Sequence, residues 1–255
     1  PIALTRHVSP TIASCELTHL DRVPIDFERA CDQHDQYVRA LRSLGVDVTV
    51  LPADTGHPDS VFVEDAALVF DEVAVMTRPG AESRRGELAS IETALAPHRQ
   101  IVRIEAPAIL DGGDVLTVGR TVSVGVSSRS SDEGVAQLRR LLAVHGYEVR
   151  AVSVSGCLHL KTAVTQVGDG LLLANPAWVS KGDFPGMEFM DVHPDEPFAA
   201  NAVLVGDTII YPTAFPKTQA KIEDAGVPMV LVDADELAKA EGAVTCCSLL
   251  LNDLR

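Results

Sequence analysis

The chain has 255 residues, 46% of them hydrophobic, enough to bury a large core in one domain or two. Its 36 acidic residues against 21 basic ones give a formal net charge of −15, a surface that repels phosphate backbones and anionic lipid and so argues against nucleic-acid and membrane partners. No apolar run nears the roughly 20 residues that span a bilayer, and the first ten residues lack the apolar stretch of a signal peptide.

The five cysteines are odd in number, include the adjacent pair Cys246 and Cys247, and form no CxxC motif. Free thiols in a reducing, cytoplasmic compartment fit them better than disulfides or structural zinc.

Along the chain, a short apolar run at 2–7 has no hairpin partner nearby. A helix is predicted over 26–44 and leads into the strand LGVDVTVLP. Paired strands follow at 60–77, turning at Asp71-Glu72, then a helix at 83–97 and the strand HRQIVRIEAP. A second pair at 114–126 turns at Gly119-Arg120 and precedes a helix at 132–145, with Val135, Leu138 and Leu142 on one face, and the strand HGYEVRAVSV. A third pair, 162–174, turns at Gly168-Asp169-Gly170. A fourth, 201–211, turns at Gly206-Asp207 and is followed by a helix at 216–225 and the strand AGVPMVLVDA. Gly45, Gly146 and Gly226 stand where helix C-caps are expected.

A unit of two strands, a helix and a strand thus recurs about every 40–50 residues, the period of a propeller or solenoid. Pairing 2–7 with 246–251 would supply a fifth unit, close the ring and remove exposed sheet edges. The expected fold is α/β: a five-bladed α/β propeller of repeated ββαβ units, closed by its N- and C-terminal strands. An open α/β sheet is the alternative on pattern alone.

Five clusters carry residue types suited to chemistry. In Asp59-Ser60-Val61-Phe62-Val63-Glu64-Asp65 the carboxylates flank an apparent short strand, whose alternation would put Asp59 and Asp65 on one face, where they could grip a planar cation or a metal. Solvated strand ends are the plain alternative. Arg84 and Arg85 suit carboxylates, or are simply a surface helix start. Asp111-Gly112-Gly113-Asp114 permits close backbone approach, or is a turn without chemistry. His159 between two leucines reads as core or as an acid/base, and Cys246 in a final strand as a small hydrophobe or a nucleophile.

Together, in this order, DSVFVED, TRPGAESRRGE, LDGGDVL, LHLKT, AAN at 199–201 and GAVTCCS resemble the dimethylarginine dimethylaminohydrolase family, within the guanidino-group-modifying enzymes. The resemblance spans essentially the whole chain and implies a single domain over 1–255 with the pentein fold, a five-bladed α/β propeller. It implies hydrolysis of Nω-methylated arginine to citrulline and an alkylamine, with no metal and no cofactor. By resemblance the nucleophile is Cys246, the acid/base is His159, and Asp111 orients that histidine. Asp59, Glu64 and Asp65 match acids that grip the guanidinium, and Phe62 among them falls with the substrate-binding residues. Arg84 and Arg129 match residues that hold the α-carboxylate. Leu17 falls in a flexible lid, and Ala240 where a backbone carbonyl meets the α-amine. The small-molecule substrate is the implied partner, and a homodimer is left open.

In arginine deiminases the residue two after the histidine is an acid that grips the unmethylated nitrogens; here it is Lys161, which disfavours arginine. A deiminase for arginine or agmatine remains the alternative within the fold. From another class, a non-catalytic propeller that binds a macromolecule would need a basic or apolar patch, and the sequence shows none. A papain-like protease is disfavoured by the order of Cys and His.

Overall fold

Residues 1–251 are described in the computed structural model. β1 (Ile2–Arg6) leads through α1 (Phe27–Ser43) to β2 (Asp47–Leu51), which lies parallel to it. β3 (Ala67–Val69) and β4 (Val73–Met76) form a hairpin, and α2 (Leu88–Leu95) returns the chain to β5 (Gln100–Arg103), parallel to β4. β6 (Val115–Val118), β7 (Thr121–Val126), α3 (Asp132–Ala143) and β8 (Glu148–Ser153) repeat the pattern. The single turn α4 (Leu160–Ala163) precedes β9 (Val164–Gly168), β10 (Leu171–Ala174) and β11 (Glu188–Asp191). Then come β12 (Val203–Val205), β13 (Thr208–Pro212), α5 (Pro216–Asp224) and β14 (Met229–Val232). After the short α6 (Asp235–Ala238), β15 (Leu249–Leu251) pairs antiparallel with β1, Ile2 opposite Leu251. Five three-stranded sheets result, and the first and last strands share one of them, so the ring closes as the repeat foretold.

Local chemistry places these elements. α1 begins where Asp26 accepts the Arg29 N–H at 3.1 Å, and α3 where Ser131 accepts that of Gly134 at 3.1 Å. Both helices end in a left-handed glycine, Gly45 at φ +80° and Gly146 at φ +76°. α3 turns Val135, Leu138 and Leu142 inward, as its spacing predicts.

Other expectations change. The blade of β9–β11 has no crossover helix. Its connection carries Pro176, Gly182, Pro185 and Gly186, poor helix formers, and holds only the 3-10 turn Lys181–Asp183. The helix expected over 83–97 is a 3-10 turn, Glu82–Glu87, followed by α2. The apparent strand between Asp59 and Asp65 is instead a turn running into the 3-10 segment Val63–Ala66. Cys246 and Cys247 likewise sit in the 3-10 turn Thr245–Cys247, ahead of the closing strand. Such short apolar runs carry the same signature in either conformation. Among the described residues no helix is long and apolar enough to cross a membrane.

The core is divided into five clusters, each at a seam between neighbouring blades. One joins β3–β5 to β6–β8 beneath α3 and contains Leu138, which is fully buried. Leu138→Ala should therefore cost about 2–5 kcal/mol and lower the unfolding temperature by roughly 5–15 °C, measured by thermal melts. A shift of under about 2 °C would show that the seam does not carry stability.

Candidate active site

Four inner strands are each preceded by one buried turn: Val63–Ala66 before β3, Gly112–Asp114 before β6, α4 before β9 and Thr245–Cys247 before β15. The turns pack on one another at one end of the ring axis. A 3-10 turn rotates about 120° per residue, so neighbours point in different directions. Asp65 and Cys246 face a small pocket, while Glu64 and Thr245 face an axial channel lined by β3, β6, β9, β12 and β15.

The pocket encloses about 20 Å³ and brings together Cys246, His159, Asp59, Phe62, Asp65, Arg84, Arg129 and Ala240. Asp111 lies fully buried behind His159, its Oδ2 3.1 Å from Nε2. Asp111 is itself held by the Gly80 N–H, at 2.8 Å from Oδ1. On its other edge His159 Nδ1 stands 4.0 Å from Asp65 Oδ1. Leu17 does not line the pocket; it packs half-buried on the cluster that holds Phe62, Ala240 and Cys246.

Glu64 is turned away. Lys161 Nζ donates to its Oε1 at 2.5 Å and Thr245 Oγ1 to its Oε2 at 3.0 Å. Lys161 lines the channel too, so any influence it has on the pocket passes through Glu64 and the shared wall. Arg84 is buried among acceptors: Nε and Nη2 donate to Glu87, Nη1 to Asp65, and Nη2 also to the Phe62 carbonyl at 2.9 Å. Arg129 is half-buried; its Nη2 donates to Thr18 Oγ1 at 2.8 Å, and its Nη1 stands 3.9 Å from Asp111.

This packing sets the charges. Burial opposes an imidazolium at His159, but Asp65, the hydrogen bond from Asp111 and the charge of Asp114 outweigh it and raise its pKa to about 9. Burial also opposes the charge on Asp65, yet His159 and Arg84 hold it down at about 2. Burial, then the carboxylates of Glu64 and Asp65, push the Cys246 thiol up to about 12. At neutral pH the resting pair is a thiol beside an imidazolium.

Asp65, Asp111 and His159 lie close enough to share a metal ion, as do His7, His34 and Asp35. In the first group each carboxylate is already engaged by a backbone N–H, Gly113 on Asp65 and Gly80 on Asp111. Three further residues matter that the sequence did not mark. Glu87, at i+3 from Arg84, was readable as a helical ion pair. Glu16 and Glu241 line the pocket from distant loops, and nothing in their local sequence announces it.

A thiol walled in by carboxylates is badly placed for an anionic substrate and well placed for a cationic carbon. The class so defined is a cysteine-dependent C–N hydrolase on an α/β propeller. Residues 21–181 match the family described as N,N dimethylarginine dimethylhydrolase, eukaryotic. The N(G),N(G)-dimethylarginine dimethylaminohydrolase of Streptomyces coelicolor is 43% identical over 256 residues, covering 99% of this chain and 97% of that protein. The Pseudomonas aeruginosa protein of the same name is 39% identical over 226 residues, covering 88% and 89%. A crystal structure of the Pseudomonas aeruginosa protein, a cysteine-to-serine variant complexed with citrulline, superposes with a TM-score of 0.93 at 36% identity over 97% of this chain and 98% of that one. The chain belongs to the dimethylarginine dimethylaminohydrolase family.

Gly113 leaves no room for a side chain: a Cβ there would lie 2.5 Å from His159 Nδ1 and 2.9 Å from Asp65 Oδ1. Gly113→Ala should therefore displace the imidazole and lower turnover about a hundredfold, with a cooperative melt retained. Unchanged turnover would mean that the ring position is not critical. A second outcome concerns pH. His159 titrates at about 9 in the fold against 6.5 unperturbed, so its stabilising charge is fully present below 6.5 and is lost as pH rises through 9. The stability difference between wild type and His159→Gln, from denaturant melts, should shrink across that window; a constant difference would contradict the charge assignment.

Proposed function

We propose that the chain hydrolyses Nω-methylated L-arginine, asymmetric dimethyl- or monomethylarginine, to L-citrulline and dimethylamine or methylamine. The carrying observation is that Cys246 and His159 share one small pocket with the carboxylates of Asp59 and Asp65. The names of the relatives, and the citrulline bound to the Pseudomonas aeruginosa protein, support the same substrate.

In this reading Asp59 and Asp65 fix the guanidinium plane for attack on its face. Arg129 takes the α-carboxylate, helped by the second hydrogen of Arg84 Nη1, and the Ala240 carbonyl takes the α-amine. The arriving cation stabilises the Cys246 thiolate, which the carboxylate-lined empty pocket does not, and the thiol proton passes to solvent because His159 is already protonated. The thiolate adds to the guanidinium carbon. The imidazolium of His159 protonates the departing amine, leaving an S-alkylthiouronium on Cys246. Neutral His159 then takes a proton from water as its oxygen adds to that carbon. The C–S bond breaks, Cys246 leaves as thiolate, the hydroxyl proton of the adduct returns it to the resting thiol, and citrulline is released. Asp111 keeps the ring in place and favours its charged form. The five unpaired thiols are in keeping with a reducing, cytoplasmic setting.

Citrulline release from asymmetric dimethylarginine, monomethylarginine and arginine tests the reaction. Release is expected from the methylated substrates only, and none from Cys246→Ser. Faster turnover of arginine would make the chain a deiminase, and no release from any would leave a binding role. A further outcome tests the resting thiol. Labelling of Cys246 by iodoacetamide, followed by mass spectrometry, should climb about tenfold per pH unit from 6 to 10 without a plateau. A cationic haloacetamidine should label it about a hundredfold faster than iodoacetamide at pH 7, because it brings the missing charge. A plateau below pH 8 would reveal a pre-formed thiolate and contradict the scheme.

A further inference from the structure

Glu16 lines the pocket, and three charged groups hold the segment 15–22 that carries it. The Glu16 N–H donates to Asp59 Oδ2 at 3.0 Å, and Arg129 donates to Thr18. The third is Glu241. Its carboxylate accepts three consecutive loop N–H groups, from Thr18 at 2.9 Å, His19 at 2.5 Å and Leu20 at 2.6 Å. Hydrogen bonds from backbone amides to a carboxylate are charge-assisted and stronger than neutral ones.

The backbone beneath this carboxylate is unusual. Glu241 has φ +57°, the only left-handed non-glycine conformation among the described residues. Glycine adopts that conformation freely and a side chain does not. The chain holds a strained glutamate here, and its carboxylate is spent on the loop. Its neighbours confine it. Gly242 packs so tightly on Phe62 that a Cβ would come within 2.1 Å of the ring, and Ala240 lines the pocket on the other side.

Resting on the substrate reading above, we infer that Glu241 is a positioning residue that latches the 15–22 loop over bound methylarginine. The other two loop anchors, Asp59 and Arg129, are the groups that reading gives to the guanidinium and the α-carboxylate. Substrate therefore competes for both of them as it enters. Glu241 keeps its hold on three consecutive loop amides when the pocket is full, with the Ser83 hydroxyl on Glu16 as the remaining side-chain anchor. Closure then slows the escape of bound substrate.

Two measurements on Glu241→Gln and Glu241→Gly test this. Glycine takes φ +57° without strain, so Glu241→Gly should fold at least as well as wild type. Amide hydrogen exchange should quicken at least about tenfold at Thr18, His19 and Leu20 in both variants, and stay unchanged in the β-strands. The KM for asymmetric dimethylarginine should rise about tenfold or more, with kcat within about threefold of wild type. Unchanged protection at those three amides overturns the latch, as does a fall in kcat with KM unaltered. Exchange is read without substrate, so a wild type that turned nothing over would sink the substrate reading and leave the latch contacts to be judged alone.

Discussion

The pocket depends on the ion pair between Asp65 and Arg84. Both are buried, and each ties down a different part of the site. Asp65 also accepts the Gly113 N–H, which draws the Gly112–Asp114 turn against the Val63–Ala66 turn. Arg84 reaches Glu87 and the carbonyls of Asp59 and Phe62, which fixes the wall that carries Asp59. Removing one partner of a buried pair typically costs about 3–5 kcal/mol, because the other charge is stranded. Here the loss of Arg84 would also loosen Asp65, whose other oxygen, Oδ1, stands 4.0 Å from His159 Nδ1.

That electrostatic arrangement is a form of selectivity. The resting site holds a neutral thiol, so it offers little to a neutral electrophile. In the proposed scheme Asp65, which helps suppress the thiolate in the empty pocket, becomes a grip once a cation lies between it and the sulfur. The same negative charge helps keep the imidazolium ready as an acid. In that scheme one set of groups thus silences the nucleophile, selects the substrate and prepares the leaving-group proton.

Much of this was legible in the chain. The hairpins announced themselves through Gly119-Arg120 and Gly206-Asp207 between β-branched runs, and the helices through Gly45, Gly146 and Gly226 at their ends. β11 escaped notice because EFMD is short, half-exposed and follows a loop of prolines and glycines in place of a helix. Two of the site turns, Val63–Ala66 and Thr245–Cys247, passed for strands because three or four apolar residues cannot show a period. Cys246, His159 and the acids stood out by residue type and by family likeness. The redirection of Glu64 to the channel and of Glu241 to the loop did not. Those depend on partners far away in sequence, 223 residues apart for Glu241 and Thr18, and no local pattern encodes such a meeting.

The shared sheet of β1 and β15 ties activity to the completion of the fold. Asp65 belongs to the turn before β3, His159 caps the turn before β9, and Cys246 belongs to the turn that leads into the closing strand. Cys246 and Cys247 pack in one seam and Leu249 and Leu251 in the next, so a folding chain can assemble the three other seams and still have no thiol in its pocket. The thiol arrives as β15 docks on β1. Turnover is thus a marker of ring closure: with Cys246 as the proposed nucleophile, it does not appear in refolding before β15 has docked on β1, whatever the blades have already achieved on their own.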